Sequence, residues 1–213
     1  TYLELVNSVL LRLREDSVTN VTATGYSALI GELVNTAKRQ VEDAWNWDAL
    51  SAVITITTTP ATSTYVATGS GKRHKDLTVN NVTNRNRVSN MPIQWIADQQ
   101  QLTIVQPGSP VYYAWNGNDG TDSKIELFPT PNAVETLKLN LYVPQLPLAN
   151  DSDVLLIPSE AVVAGALALA LVERGEDQGL SSSEAYGLYK GILSDQIAIE
   201  SSRYIENSCW IAT

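Results

Sequence analysis

The segment Gly69-Ser-Gly-Lys-Arg-His-Lys75 gathers residue types from which phosphate sites and acid–base chemistry are built. A phosphate-binding loop aims backbone N–H groups inward from spaced glycines, then supplies a lysine and a hydroxyl residue at the start of a helix. Here one glycine of that spacing is missing, Arg73 follows Lys72 where Ser or Thr belongs, and a β-type segment comes next. The segment reads as a solvated hairpin tip or as a charged docking loop. Lys72, Arg73, Lys75, Arg85 and Arg87 are gathered in a short stretch of an acidic chain, which suits an acidic partner surface.

His74 is the chain's one histidine and Cys209 its one cysteine. A Ser-His-Asp arrangement therefore has a single candidate base. That base sits among Lys and Arg, whose like charge disfavours the imidazolium, with Asp76 as the nearby carboxylate. An intrachain disulfide, a cysteine metal cluster and an intrachain His-pair zinc site are excluded by count. Asp151, Asp153, Glu173, Glu176 and Asp177 lack the spacing of a calcium loop and read as solvated helix ends. The expectation is no catalytic residue, no metal and no cofactor.

The elements that position these residues follow from hydrophobic period. Leu3, Val6, Leu10 and Leu13 recur at helical spacing. A second helix carries the stripe Tyr26, Leu29, Ile30, Leu33, Val34, Ala37, Val41, Ala44 and Trp45, with Glu32, Lys38, Arg39, Glu42 and Asp43 on other faces. From about Ala49 the chain turns β-branched. Val53–Thr59, Thr64–Ala67 and Leu77–Val82 are strand candidates, and 92–105 is ambiguous, with Trp95–Gln101 readable as a short helix between strands.

Val111–Trp115, the turn Asn116-Gly-Asn-Asp-Gly120, and Lys124–Phe128 read as a hairpin. Leu137, Leu139, Leu141 and Val143 alternate with polar residues as in a half-buried strand. Helical period returns after Asp151, with Pro158 favoured at a helix start and Ser181 with Glu184 spaced as a capping box. The expected architecture is α+β: an antiparallel helical bundle (residues 1–49 and 151–203), an inserted all-β, sandwich-like module (50–150), and an extended tail (204–213). Trp95, Tyr112, Tyr113 and Trp115 read as core of the β module. Tyr204, Ile205, Trp210 and Ile211 lie in the unpatterned tail, either tucked onto its own helices or anchoring on a neighbour.

Composition narrows the class. Across 213 residues, 44% hydrophobic and 17% charged is too ordinary for a disordered chain and too polar for an integral membrane protein. The net charge of −9 argues against a protein whose main affinity is for duplex phosphate, though not against a surface that DNA slides past. No secretory signal opens the sequence, and the longest apolar run, 161–172, is about half of the ~20 residues of a membrane helix. The chain is expected to be made in the cytoplasm and not inserted in a membrane.

The opening TYLELVNSVLLRLRE resembles the start of the head-to-tail adaptor proteins of tailed bacteriophages, the group related to the tail tubular protein A of short-tailed phages. The helix ending in AWNWDAL, the hairpin VYYAW…KIELFPTP, the strand LKLNLYVPQLPL followed by DSDVLLIP, and the helix carrying ALALVERGED agree with it in the same order. The resemblance implies a structural virion protein at the head–tail interface, forming a twelvefold ring between the portal protein ring and the tail nozzle protein. Double-stranded DNA would pass non-specifically through its lumen. Portal or neighbour docking would then fall on Tyr204, Ile205, Trp210 and Ile211. Nozzle or fibre contacts would fall on Lys72, Arg73, His74 and Lys75 and on Asn116, Gly117, Asn118 and Asp119. The rival readings are a non-viral small-ligand or protein-binding module with a β insertion, and a hydrolase with an unrecognised site.

Overall fold

The structure, a computed structural model, describes residues 1–102, 106–175 and 182–203. In chain order its elements open with α1 (Tyr2–Arg12), α2 (Gly25–Ala44), β1 (Ser51–Thr57), β2 (Thr64–Val66), β3 (Lys75–Asn81) and β4 (Asn86–Asn90). There follow α3 (Ile93–Leu102), β5 (Tyr112–Asn118), β6 (Ser123–Phe128), β7 (Thr136–Tyr142), α4 (Ser159–Arg174) and α5 (Ser182–Ser201). The chain is of mixed α and β class and divides into two units. Thr1–Ala49 groups with the residues from Gln145 on, and Leu50–Pro144 forms the other unit.

In the helical unit, α2 starts at a reciprocal cap. The Ser27 N–H donates to Thr24 Oγ1 and the Thr24 N–H to Ser27 Oγ, both at 3.0 Å, which satisfies donors a helix start leaves open. Ile30, Val34, Ala37 and Val41 of its stripe are fully buried. α2 packs on α1 and α4, and α4 also packs on α1 and α5. Along α4, Ala161, Val162, Val163 and Ala164 are consecutive and all buried, so the helix is enclosed on several sides and not along one stripe. Its small residues set how closely neighbours approach. A Cβ at Gly165 would stand 3.1 Å from the Tyr189 ring and 3.2 Å from Ala37 Cβ.

Lys38 and Glu42 were expected on polar faces of α2, and the structure buries both. They pair at 2.8 Å with side chains 3% and 1% exposed. The burial comes from residues 145–148, which lie across the helix. Lys38 Nζ donates to the Gln145 carbonyl at 2.6 Å, the Gln145 N–H donates to Glu42 at 3.1 Å, and the Leu148 N–H donates to Asn35 at 2.9 Å. Residues 145–150, read from sequence as the end of the β insertion, thus bond within the helical unit.

The other unit is one seven-stranded sheet in the order β1-β7-β3-β4-β5-β6-β2. Its pairings are antiparallel except β4 with β5, which α3 connects. Residues from both halves share one core, including Ile56, Val79, Val88, Tyr113, Ile125, Leu127, Leu137, Leu139 and Leu141, so the sheet curls until it nearly closes. Two expectations are corrected here. The module is a single curled sheet instead of a two-sheet sandwich, and it is not all-β. α3 lies on β5, with Ile96 buried against Ala114 and Phe128, and Trp95 edge-on to Tyr112 and Phe128 at 5.1 and 5.6 Å.

Candidate functional site

Two loops far apart in sequence meet on the β unit, the glycine loop before β3 and the turn between β5 and β6. Gly69 and Gly71 have φ of +90° and +61°, a region that suits glycine, and they swing Ser70 inward until it is fully buried. Ser70 Oγ accepts from the Ser123 N–H at 3.1 Å, Ser123 Oγ donates to the Gly71 carbonyl at 2.9 Å, and the Gly71 N–H donates to Asp122 Oδ1 at 2.9 Å. The backbone donor that a phosphate would need is therefore engaged by the protein's own carboxylate.

The opposing turn is built from its own side chains. Asp119 accepts from the Thr121 and Asp122 N–H groups at 2.9 and 2.8 Å, and Asn118 accepts from the Gly120 N–H at 3.0 Å. These backbone donors hold the Asp119 carboxyl below its ordinary value. A register shift between Trp115 and Asn118 makes a bulge at Asn116 and Gly117. Asn116 is tethered to buried Glu126 at 2.6 Å.

His74 closes the junction. Its ring lies 4.1 Å from that of Trp115, and its Nε2 stands 3.4 Å from Asp76 Oδ1. Asp76 also accepts from Trp115 Nε1 at 2.5 Å, and from the Tyr113 hydroxyl and Asn90 Nδ2 at 3.3 Å. Burial pushes the Asp76 carboxyl up, but the donors from His74, Trp115 and Tyr113 prevail and hold it below its ordinary value. Burial, reinforced by Asp76, raises the Tyr113 hydroxyl. His74 thus has the carboxylate partner that sequence flagged. Its Nδ1 is buried and has no hydrogen-bond partner among the described residues, so the imidazole serves as a peg between strands, with no nitrogen open to an incoming substrate.

Of the residues singled out from sequence, Lys72 and Arg73 are exposed at the tip, His74 is the peg, and Lys75 begins β3 opposite Tyr142 of β7. Asn116, Gly117, Asn118 and Asp119 are exposed. The two loop sets are brought together. The five gathered cations are not, which corrects that reading: Arg85 sits in the turn after β3 and Arg87 on β4 opposite Asn80, so about 20 Å of strand separates the Lys75 and Arg85 ends. Tyr204, Ile205, Trp210 and Ile211 lie outside the described residues, as do Glu176, Asp177 and Ser181. Asp151 and Asp153 are occupied by backbone donors, from Val21 and from Ala149 and Asn150.

Sequence reading missed Ser70, Asp122 and Ser123 as the clamp between the loops. The signal was present only as turn-forming Ser, Asp and Gly; which turn meets which depends on strand pairing. The family model described as SU10 adaptor protein matches residues 1–207. No curated protein matches the chain.

Proposed function

The chain belongs to the SU10 adaptor protein family, and from that premise we propose that it is a structural virion protein, a head-to-tail adaptor whose copies form a ring between the portal and the tail nozzle. The match over nearly the whole chain carries the reading. In it the ring is twelvefold, as in the tail tubular protein A group that the sequence resembles, and duplex DNA passes through the lumen. A net charge of −9 per copy supports passage without retention, since binding to the phosphate backbone scales with the cations offered to it.

The clamped loops are the proposed contact with nozzle or fibre. Lys72 and Arg73 stand exposed on one, and Asn116 to Asp119 on the other. Because both are anchored from beneath, they offer a preformed surface whose docking costs little ordering entropy. Tyr204, Ile205, Trp210 and Ile211 are the proposed portal or neighbour anchors. No described helix is long and apolar enough to cross a membrane. The proposed site of action is the head–tail junction of the virion, after synthesis in the host cytoplasm, and the proposed role involves no turnover.

The test is the particle mass of the purified chain, alone and mixed with portal rings, with and without residues 204–213. The expected result is that the full chain adds a ring of copies to the portal, whereas the truncated chain keeps its helical circular dichroism and adds none. A folded full chain that leaves every portal unchanged in mass would overturn the adaptor reading. A truncated chain that unfolds at ordinary temperature would show that the tail belongs to the core and not to docking.

A further inference from the structure

β1 and β2 end the seven-stranded sheet and are not paired with each other, so the curling of the sheet still leaves two edges. The backbone phase of β1 follows from the bonds at its ends. The Val143 N–H donates to the Leu50 carbonyl at 2.9 Å and the Thr58 N–H to the Glu135 carbonyl at 2.8 Å, and the register between them is unbroken. Bonded and non-bonded pairs alternate in an antiparallel ladder, so Ala52, Ile54 and Ile56 bond to Leu141, Leu139 and Leu137. The far side of β7 agrees: the Val82 N–H donates to the Thr136 carbonyl at 2.9 Å, which turns the even-numbered residues of β7 towards β3. The N–H and C=O groups of Ser51, Val53, Thr55 and Thr57 therefore point away from β7, and they have no hydrogen-bond partner among the described residues.

Sheets protect such an edge by shortness, a charge, a proline, a bulge or a cover. β2 is protected by shortness, at three residues. β1 runs for seven residues, Ser-Ala-Val-Ile-Thr-Ile-Thr, with no charge, no proline and no bulge against β7. The side chains of Ser51, Val53, Thr55 and Thr57 are exposed, Val53 by 59%. An edge of this kind is completed by another extended strand, whose main chain supplies the missing partners.

We propose that β1 pairs antiparallel with β1 of a second copy of this chain, about a two-fold axis at Ile54. The edge is self-complementary in that register. Ser51 faces Thr57 of the second copy and Val53 faces its Thr55, so every residue with free backbone groups meets another of the same kind. Their side chains share one face of the joined sheets, where Val53 and Thr55 bring β-branched groups together and no charge meets a charge. A register one residue away sets them against Ala52, Ile54 and Ile56, whose groups β7 already uses. β2 is a poorer match. Ser63 and Ala67 bond to Leu127 and Ser123 of the β6 side, so Tyr65 does the same with Ile125, and only Thr64 and Val66 are left free. One strand from each copy makes a small interface, so the pair forms with concentration and yields to a larger competing surface. This pairing concerns the subunit before any ring forms, and it can fail while the adaptor reading stands.

The experiment follows backbone amide hydrogen exchange residue by residue in the purified full chain, together with its solution mass, from dilute to concentrated protein. Ala52, Ile54 and Ile56 should be protected throughout. Val53 and Thr55 should exchange freely in the dilute monomer and at least about tenfold more slowly on concentration, as the mass rises to that of a dimer. Thr55→Pro removes an edge donor without touching a bond to β7, and Val53→Lys sets like charges diagonally across the two-fold axis. Each variant, with its fold verified by circular dichroism, should stay monomeric and keep free exchange at the remaining edge amides. Monomeric mass with free exchange at every concentration overturns the proposal. Protection of Val53 and Thr55 in the dilute monomer overturns it as well, since the chain would then cover its own edge. A dimer that survives both substitutions places the contact elsewhere, and species growing beyond a dimer replace it with open-ended pairing of β1 on β2.

Discussion

Removing the Glu42 carboxylate should destabilise the helical unit more than removing any exposed charge, and the geometry sets the scale. Lys38 and Glu42 pair at 2.8 Å with both side chains almost wholly out of water. Lys38 also donates to the Gln145 carbonyl, and Glu42 accepts from the Gln145 N–H. In Glu42→Ala the ammonium stays buried with a carbonyl as its remaining partner in this trio, and the Gln145 N–H loses its acceptor. Breaking one member of a buried pair costs about 3–5 kcal/mol, most of it the uncompensated charge. Glu42→Gln keeps an acceptor for Gln145 and should recover part of that loss. Lys38→Met with Glu42→Leu removes both charges and should lie close to wild type or above it. Urea unfolding followed by helical circular dichroism, run as a double-mutant cycle, reads these differences. A cost below about 1 kcal/mol for Glu42→Ala, or a double variant as unstable as the single one, would refute the claim that the pair is buried and mutually dependent.

Two further outcomes follow from other contacts. The Asp76 carboxyl is held below its ordinary value, so its ionised form stabilises the β unit above about pH 3.9 and that contribution is lost as pH falls from there through the folded value. Asp76→Asn should flatten this part of the stability–pH curve measured by Trp fluorescence during urea unfolding, and an unchanged slope would remove Asp76 from the account. Gly165→Leu should lower the melting temperature of the helices, because a Cβ there already sits within 3.1–3.3 Å of Tyr189 and Ala37 and overpacking costs about 1–3 kcal/mol. Gly165→Ala should cost less, since the gain in helix propensity of up to about 1 kcal/mol offsets the crowding. Equal melting temperatures for Gly165→Leu and wild type would mean that Tyr189 and Ala37 do not crowd this position of α4.

Burial period made some elements legible. The alternation of Leu137, Leu139 and Leu141 follows one buried face, and Ile30, Val34, Ala37 and Val41 of the α2 stripe are buried as their period requires, although Ala44 at its end is exposed. β4 left no such trace. Within Asn86–Asn90 only Val88 is buried, and its strand character comes from its neighbours β3 and β5. α3 was ambiguous because Trp95 and Ile96 suit either a strand or a helix face, and the length of the run alone could not decide. Lys38 and Glu42 looked like surface residues because periodicity reports which positions one face shares. It carries no information about a later segment, 145–148, laid over the flank of the helix.

The same distinction governs the candidate site. Each loop was recognisable from local chemistry, Gly-Ser-Gly in one and Asn-Gly-Asn-Asp-Gly in the other, because turns are specified by the residues within them. Their meeting was not, since Ser70 with Ser123 and Gly71 with Asp122 depend on the register that brings β6 beside β2. His74 shows what that register adds. Read alone it is a lone histidine among cations, whereas against Trp115 and Asp76 it fastens one loop to the other. A loop fastened in this way needs no rearrangement to dock. Docking through Lys72 and Asn116 is then governed by encounter and charge.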